Sequence, residues 1–322
     1  MSKLLSIVIP TLNRYEYLKR TMDFVLPQVE KHLEEVELVV CCNASKDQTD
    51  AYMKELCKEK TYIRYKYFDE YVEVGQSLIR SVGEAQGEYV VLWGDDDIPY
   101  PCFCETILDI ISKHPGIGVI HCNRLFGKDT RYGMRQLTVN RNVFETGIEI
   151  MSLPAFIDRF NIDLGFISSV IFRKKGWDEA ITNYSTSHYG YEHVAIMLNG
   201  AKNRDCAYCA FPIELQRNPQ NRDFSTKWPL YQFVGIPNML TDFDKNGLSE
   251  NSFETWNKEY NSSFPKFVWN MMYTVSDRKF YKQHCKDLNR YQLSSIRKFL
   301  TYLIVYCCPE FLFNMIKKRL YK

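Results

Sequence analysis

The stretch Tyr89-Val90-Val91-Leu92-Trp93-Gly94-Asp95-Asp96-Asp97-Ile98-Pro99 joins a short apolar run to three consecutive acidic residues and then a proline. The run is long enough for a buried strand and too short for a membrane span, and Pro99 ends it. Asp95, Asp96 and Asp97 are therefore expected at the carboxyl end of a strand, where open α/β sheets bind ligands. Adjacent carboxylates repel one another. A hard divalent cation would offset this repulsion, and phosphate oxygens would complete its coordination shell. A solvated acidic turn is the alternative.

Strand-like and helix-like segments alternate around this stretch. Apolar runs predict strands at 4–9, 36–42, 62–68 and 118–123, and helical spacing predicts helices at 15–32, 47–58, 74–85 and 101–113. Pro27 is expected to kink or interrupt the first helix. Such alternation favours a mostly parallel sheet with helices on both faces. Three loops, 11–14, 43–47 and 95–97, then follow strand carboxyl ends and are expected to converge on one crevice.

Composition narrows the class of protein. The chain has 322 residues, 45% of them hydrophobic, and a net charge of +2, so no nucleic-acid partner is expected. It lacks a Gly-x-Gly-x-x-Gly fingerprint and a phosphate-binding loop, which argues against dinucleotide oxidoreductases and nucleotide hydrolases. Eleven scattered cysteines and no secretory signal predict free thiols in a reducing cytoplasm. The Cys206-x-x-Cys209 spacing has no second ligand pair, so zinc is not expected.

The opening Ser6-Ile7-Val8-Ile9-Pro10-Thr11-Leu12-Asn13-Arg14 resembles family 2 glycosyltransferases of bacterial polysaccharide type, which have the GT-A fold. The turn at 42–49 and the segment 85–90, which leads into the acidic triplet, resemble the same family. The resemblance covers residues 4–101 well and 165–217 loosely. It implies an α/β, Rossmann-like, mostly parallel sheet with helices on both faces and a helical C-terminal region.

The resemblance implies a nucleotide-diphosphate sugar donor bound with Mg²⁺ or Mn²⁺. Asp96 is expected to be the direct metal ligand, with Asp97 beside it. Arg217 and Arg222 are further candidates for the diphosphate, although surface arginines are the alternative. Leu12 and Cys42 replace an aromatic residue and an aspartate that often hold uracil, so cytosine, guanine or thymine bases remain open. The residues implied to bind the donor are Pro10, Thr11, Asn13, Arg14, Asn43, Arg80, Asp95 and Asp96.

Two candidates for the general base are adjacent. In the family, a Glu-Asp pair opens a helix here; Glu192 matches the glutamate, and His193 occupies the slot of the aspartate. Either side chain could accept the proton of an acceptor hydroxyl. Glu192 is preferred because a carboxylate also stabilises oxocarbenium-like charge. The alternative for His193 is packing or capping of the helix. The run 166–174 resembles the family strand under the acceptor site.

The chain is expected to divide into three parts. A glycosyltransferase domain spans 1–223, with a nucleotide-sugar half (1–123) and an acceptor half (124–223); a helical, aromatic-rich region spans 224–293. The tail, 294–322, has basic clusters around an apolar middle that Pro309 breaks. This pattern favours a segment that lies in the interface of an anionic membrane; a docked helix pair is the alternative.

These features predict a metal-dependent, inverting glycosyltransferase. The acceptor is expected to be a saccharide linked to polyprenyl diphosphate, in surface polysaccharide biosynthesis on the cytoplasmic face of the inner membrane. One alternative is a non-catalytic nucleotide-sugar or carbohydrate-binding module. Another is a nucleotidyltransferase, which would release pyrophosphate and usually needs a glycine- and lysine-rich loop that this chain lacks.

Overall fold

The computed structural model describes residues 3–130, 133–139, 147–186, 188, 190–218, 227–261, 278–292, 294–309, 311–312 and 315. The chain divides into two compact units. The first unit comprises residues 1–156, 163–185 and 193–220, and the second comprises 157–162, 186–192 and 221–322.

A mixed sheet is the framework of the first unit. Its strand order is β3-β2-β1-β4-β9-β6-β10-β5, with β7 paired to β6 and β8 to β10. Strands β3, β2, β1 and β4 are parallel, as are β6 and β10, whereas β9 runs antiparallel between β4 and β6. The predicted mostly parallel sheet is confirmed. The strands are β1 (Leu5–Thr11), β2 (Val36–Asn43), β3 (Ile63–Phe68), β4 (Tyr89–Leu92), β5 (Ile98–Pro99), β6 (Val119–Thr130), β7 (Gly133–Val139), β8 (Ile148–Ser152), β9 (Val170–Arg173) and β10 (Asp205–Asn218).

The central strands are buried on both faces. Ile7 and Val91 belong to one large core cluster, and Val8 and Val90, which point the other way, are also fully buried. Pro10 lies in β1 although it lacks an N–H. Because β4 pairs with β1 only as far as Val8, Pro10 interrupts no β1–β4 pair.

The helices of the first unit pack on this sheet. They are α1 (Tyr15–Lys31), α2 (Thr49–Glu59), α3 (Val74–Gly83), α4 (Phe103–Lys113), α6 (Lys174–Ile181) and α7 (Glu192–Gly200), and α5 (Leu153–Phe160) joins the two units in sequence. Pro27 was expected to kink or interrupt this helix; the interruption is wrong, because α1 is one continuous helix, and the kink stays a prediction. Leu18, Met22 and Val25 before the proline, and Val29 after it, all belong to the core cluster. Tertiary packing therefore outweighs the local cost of about 3 kcal/mol.

The predicted strand at 166–174 is shorter than expected. Residues Ile167–Ser169 form a 3₁₀ turn, and only Val170–Arg173 is a strand. The Ser169 hydroxyl donates to the Phe166 carbonyl at 3.0 Å, and the Ser168 hydroxyl bonds outside the segment. The Ser169 hydroxyl thus gives a backbone carbonyl the hydrogen bond that strand pairing would otherwise provide.

The second unit is helical where it is described, as predicted for the C-terminal region. A small core joins its first helical turns to its last three described helices; it is formed by Leu230, Phe233, Val234, Tyr281, Cys285, Leu288 and Val305. None of the described helices is long and apolar enough to cross a membrane. The helices are α8 (Trp228–Leu230), α9 (Ile236–Lys245), α10 (Ser252–Trp256), α11 (Arg278–Gln283), α12 (Cys285–Arg290) and α13 (Ser295–Cys307), with π turns at Tyr231–Gly235 and Asn257–Asn261.

Candidate active site

The loops after β1 and β2 are tied together by hydrogen bonds. The Asn13 backbone N–H donates to the Ser45 hydroxyl at 2.9 Å, and the Lys46 N–H donates to Asn13 Oδ1 at 2.6 Å. Asn13 and Ala44 have positive φ angles of 52° and 57°. Asparagine tolerates this conformation, whereas for alanine it is a strained one. The backbone is therefore held in an uncommon shape at this edge of the sheet.

The acidic triplet lies beside the first of these loops. The Thr11 hydroxyl donates to Asp95 Oδ2 at 2.7 Å, and Arg14 Nε lies 2.8 Å from Asp95 Oδ1. A second guanidinium nitrogen of Arg14 donates to Asp96. The predicted convergence of the three loops is confirmed by these contacts. Arg14 is the counter-charge that two adjacent carboxylates require.

The third carboxylate has a different environment. Asp97 is buried, and its Oδ2 accepts a hydrogen bond of 2.6 Å from Ser168. Its Oδ1 accepts one of 3.2 Å from the Arg217 backbone N–H. The Ser168 hydroxyl in turn accepts from the Gly94 N–H at 2.9 Å. Asp97 thus ties together the loop after β4, the turn before β9 and the end of β10.

The protonation of the triplet follows from burial. Burial raises the pKa of Asp95 to about 6, although the Arg14 charge and the Thr11 hydrogen bond oppose this shift. Burial also raises the pKa of Asp97, and the neighbouring Asp96 charge adds to the effect. Burial would lower the pKa of Arg14, but the charges of Asp95 and Asp96 raise it above its usual value. The three carboxylates are thus chemically distinct.

Two hydroxyl residues that support the triplet were not predicted. Thr21, on the buried face of α1, donates to the carbonyl oxygens of Asp95 (2.9 Å) and Asp97 (3.2 Å). Ser168 lies in a run that was predicted only as a strand. The signal for Thr21 was present in the sequence, because it is one of two polar residues, with Gln28, on a mostly apolar helix face.

Asn43 and Arg80 bind each other and the loop after β3. Asn43 Nδ2 donates to the Val72 carbonyl at 2.9 Å, and the Val72 N–H donates to Asn43 Oδ1 at 3.1 Å. The Arg80 guanidinium donates to Asn43 Oδ1 and lies 4.0 Å from the centre of the Phe68 ring. Their predicted contacts with a donor stay predictions.

The arginine side chains nearest the triplet share one aromatic neighbour. The guanidinium groups of Arg14 and Arg217 lie 4.5 Å and 5.8 Å from the centre of the Tyr17 ring. Arg217 is therefore near the acidic cluster through both its backbone and its side chain. Arg222, the other predicted diphosphate contact, lies outside the described residues.

Glu192 and His193 both lie at the start of α7 and are nearly buried. In the second unit, a Glu192 carboxylate oxygen accepts a hydrogen bond of 2.7 Å from the Gly190 N–H. In the first unit, His193 lines a small apolar cavity with Leu92, Trp177 and Met197. The carboxylate thus has a polar neighbour, whereas the imidazole faces hydrophobic side chains.

Within the described ranges, no group of three or more His, Cys, Asp or Glu side chains is arranged to hold a metal ion. Asp96 nevertheless has the right chemistry for a hard cation. Its side chain is the least buried of the three aspartates. Among the residues that the structure describes, Arg14 is the one hydrogen-bonding partner of that side chain. Asp95 and Asp97 each have both carboxylate oxygens bonded to protein groups.

Comparison with known proteins identifies the family. The family model described as "Glycosyl transferase family 2" matches residues 6–175. This range covers more than half of the chain and includes the loops after β1, β2 and β4. The chain therefore belongs to glycosyltransferase family 2 and is a glycosyltransferase. The resemblance noted from the three motifs is confirmed.

Individual relatives agree with this assignment. The abequosyltransferase RfbV of Salmonella typhimurium strain LT2 is 25% identical over 266 residues, which cover 76% of this chain and 77% of the relative. An uncharacterised glycosyltransferase of Rickettsia typhi, RT0329, is 24% identical over 182 residues, 56% of this chain and 55% of its own length.

Solved structures share the fold. S. aureus TarS 1–349, solved with UDP-GlcNAc, has a TM-score of 0.62 at 13% identity and covers 94% of this chain and 87% of its own. The mannosyltransferase PcManGT of Pyrobaculum calidifontis, solved with GDP-Man and Mn²⁺, has a TM-score of 0.54 at 12% identity. The match covers 95% of this chain and 85% of the mannosyltransferase chain. At such identities the likeness shows the fold alone.

Proposed function

We propose that this glycosyltransferase is a metal-dependent, inverting enzyme that transfers a sugar from a nucleotide-diphosphate donor to a saccharide acceptor. The observation that carries the proposal is the convergence of Thr11, Arg14 and the three aspartates at the carboxyl ends of β1 and β4. An α/β sheet binds ligands at this edge. TarS and PcManGT were solved with sugar nucleotides, which supports the same donor class here.

In this proposal each loop has a separate task. Pro10, Thr11 and Asn13 line the nucleoside, and the strained loop at Ala44 presents backbone groups to it. Arg14 and Arg217 lie near the acidic cluster and supply positive charge for the diphosphate. Cys42 is fully buried, so its thiol is not a side chain that selects the base.

Asp96 is the residue that would hold Mg²⁺ or Mn²⁺, because it alone of the three aspartates has a carboxylate oxygen that bonds to no other described residue. When bound, the cation supplies positive charge that stabilises the departing nucleoside diphosphate. Both carboxylate oxygens of Asp97 accept hydrogen bonds, from the Ser168 hydroxyl and the Arg217 backbone N–H. Asp97 therefore orients the loops of the site. Its predicted role as a metal ligand is therefore the weaker of the two.

Glu192 is proposed as the general base that takes the proton of the acceptor hydroxyl. His193 lines a small apolar cavity with Leu92, Trp177 and Met197, which supports the choice of Glu192. Attack of the freed oxygen on the anomeric carbon, from the side opposite the leaving diphosphate, inverts the configuration there. The abequosyltransferase relative supports a sugar-transfer role, and we extend it to a polyprenyl-diphosphate-linked acceptor in surface polysaccharide synthesis.

The test is a thermal-shift panel of UDP, CDP, GDP, ADP and dTDP, each with Mn²⁺ or with a chelator, followed by detection of the nucleoside diphosphate released from the matching donor. We expect one base to stabilise the wild-type chain in a metal-dependent manner. Asp96→Asn should remove most of that stabilisation while leaving the melting temperature of the ligand-free protein nearly unchanged. Release of pyrophosphate instead would indicate a nucleotidyltransferase.

Asp109→Asn is the matched control. Asp109 lies on α4 with half of its side chain exposed and pairs with Lys113, so its loss removes one negative charge away from the acidic triplet. It should keep the full nucleotide response. A metal-independent shift, or equal shifts in Asp96→Asn and Asp109→Asn, would refute the assignment of Asp96.

A further inference from the structure

Helix α13 (Ser295–Cys307) buries two polar side chains beside the apolar Val305 and exposes several large apolar side chains. Arg297 and Thr301 are buried, with 7% and 0% of their surface exposed, and both lie on the side that packs into the second unit. Ile296 and Phe299 are 69% and 62% exposed. A helix that faces water on its outer side carries the opposite arrangement. The outer face of α13 is therefore built for a surrounding that is not water.

The exposed face is continuous and apolar. Positions 296, 299, 303 and 306 recur at helical spacing, so these side chains form one stripe. Tyr302 stacks on Tyr306, with ring centres 4.5 Å apart, along one margin of that stripe. Beyond the helix, Phe311 and Met315 are 69% and 51% exposed as well. The helix itself contains no Asp or Glu. Exposed apolar surface of this extent marks an interaction site.

Basic side chains lie along the tyrosine margin. Lys298 is exposed one helical turn before Tyr302. The Lys282 ammonium group, on α11, lies 5.5 Å from the centre of the Tyr306 ring. Lysine and tyrosine both present an apolar body with a polar tip, which suits the boundary between lipid headgroups and acyl chains. Ile296 and Leu303 lie on the opposite margin of the stripe and are both exposed.

The net charge of residues 278–322 fits an anionic partner. Residues 278–322 contain 11 of the 41 Lys and Arg of the chain but only 2 of its 39 Asp and Glu. Their net charge is therefore +9, whereas residues 1–277 carry −7. The positive charge is thus concentrated in the segment that also exposes the apolar face.

We propose that the outer face of α13 is a docking surface for an anionic phospholipid membrane. Ile296, Phe299 and Leu303 enter the acyl boundary, while Tyr302, Tyr306 and the lysines Lys282 and Lys298 lie at headgroup level. The helix is short and stays on the membrane surface rather than spanning it. The opposite side of α13 is anchored in the core of the second unit through Val305, so docking needs no unfolding of the helix. This inference does not depend on the proposed donor or acceptor.

The experiment is co-sedimentation of the full chain with sucrose-loaded vesicles of phosphatidylcholine, with and without about one-third phosphatidylglycerol. We expect binding that requires the anionic lipid and weakens with salt. Phe299→Asp should lower the partition coefficient roughly tenfold or more, because it removes most of one aromatic side chain from the lipid. Phe299→Leu should retain nearly all of the binding.

The charge contribution is tested separately. The double variant Lys282→Gln/Lys298→Gln should bind anionic vesicles roughly tenfold more weakly or worse, since each lysine near the surface contributes about fivefold. Lys58→Gln/Lys175→Gln is its matched control, because both of these lysine side chains are 72% exposed on the first unit. The control should bind like the wild type.

Phe211→Ser controls for the loss of exposed apolar surface elsewhere, since Phe211 is 52% exposed on β10. Unchanged thermal unfolding of the Phe299→Asp variant establishes that its fold is intact. Failure of the wild type to bind anionic vesicles would overturn the proposal, as would equal binding by Phe299→Asp. Self-association that Phe299→Asp abolishes, without any vesicle binding, would assign the face to a second copy of the chain and also overturn it.

Discussion

Replacing Arg14 with glutamine removes the one described counter-charge that bonds to both Asp95 and Asp96. We expect the variant to lose folding stability in the absence of divalent cations, and to lose more of it at about pH 8 than at about pH 5. The pH dependence distinguishes an electrostatic role of Arg14 from a loss of packing against Tyr17, which does not change with pH.

The expected loss of folding stability in Arg14→Gln follows from how far the ion pair is buried. Removing one partner of a fully buried ion pair costs about 3–5 kcal/mol. The Arg14 side chain is 23% exposed and that of Asp96 is 19% exposed, so water compensates for part of the loss. We therefore expect about 2–3 kcal/mol at about pH 8.

The sign of the pH effect comes from Asp95. Its pKa of about 6 in the folded chain lies above the value near 3.9 that an unfolded chain has. Above pH 6 the folded Asp95 is charged and interacts strongly with Arg14, whereas below pH 6 it retains its proton and loses less when Arg14 is removed. The cost of Arg14→Gln should therefore fall by about 1 kcal/mol or more as the pH falls from about 8 to about 5.

The assay is urea unfolding without metal at both pH values, followed by tryptophan fluorescence. Trp93 is a suitable reporter, because it is fully buried and its indole N–H donates to the Asp97 carbonyl at 3.2 Å. Arg20→Gln is the control, since Arg20 is exposed on the same helix. A double-mutant cycle with Asp95→Asn should give a coupling of at least about 1 kcal/mol at the higher pH. A cost for Arg14→Gln that is equal at both pH values, or additivity in the cycle, would refute the reasoning.

Two further predictions concern the interior of the first unit. Glu214 is fully buried, neither of its carboxylate oxygens has a hydrogen-bond partner in the described structure, and burial raises its pKa well above the usual value. Glu214→Gln should therefore stabilise the metal-free chain by about 1 kcal/mol or more at about pH 8 and by less at about pH 5. Urea unfolding at both pH values measures this gain, and an equal gain at the two pH values would contradict the prediction. At Gly176, an added Cβ would lie 2.2 Å from the Gly200 carbonyl oxygen, so Gly176→Ala should cost about 2 kcal/mol or more. Gly83→Ala, where an added Cβ meets nothing within 4 Å, should be neutral or stabilising, and equal melting temperatures for these two variants would count against the close helix contact.

Much of the fold of residues 4–123 could be predicted from sequence alone. The strands at 36–42 and 62–68 match β2 and β3 within one residue, and the acidic triplet follows β4 as expected. These features depend on local patterns, namely apolar runs, helical spacing and turn residues, which act over a few neighbouring positions. Pro27 is the exception, because the local rule for proline was outweighed by packing on both sides of it.

The sequence by itself therefore determined the family, the alternation of strands and helices over residues 4–123, and the loop that carries the acidic residues. Only the tertiary structure decided how the three aspartates differ in burial and in hydrogen-bond partners. Ser168 and Arg217, which lie 71 and 120 residues from Asp97, each donate a hydrogen bond to one of its two carboxylate oxygens. Thr21 reaches the same loop from 74 residues before Asp95. The sequence also contained an apolar, basic tail, but the buried Arg297 and the exposed Phe299 appear only once α13 packs. Contacts across such separations depend on which strands become neighbours and which helix face is covered, and no local pattern specifies either.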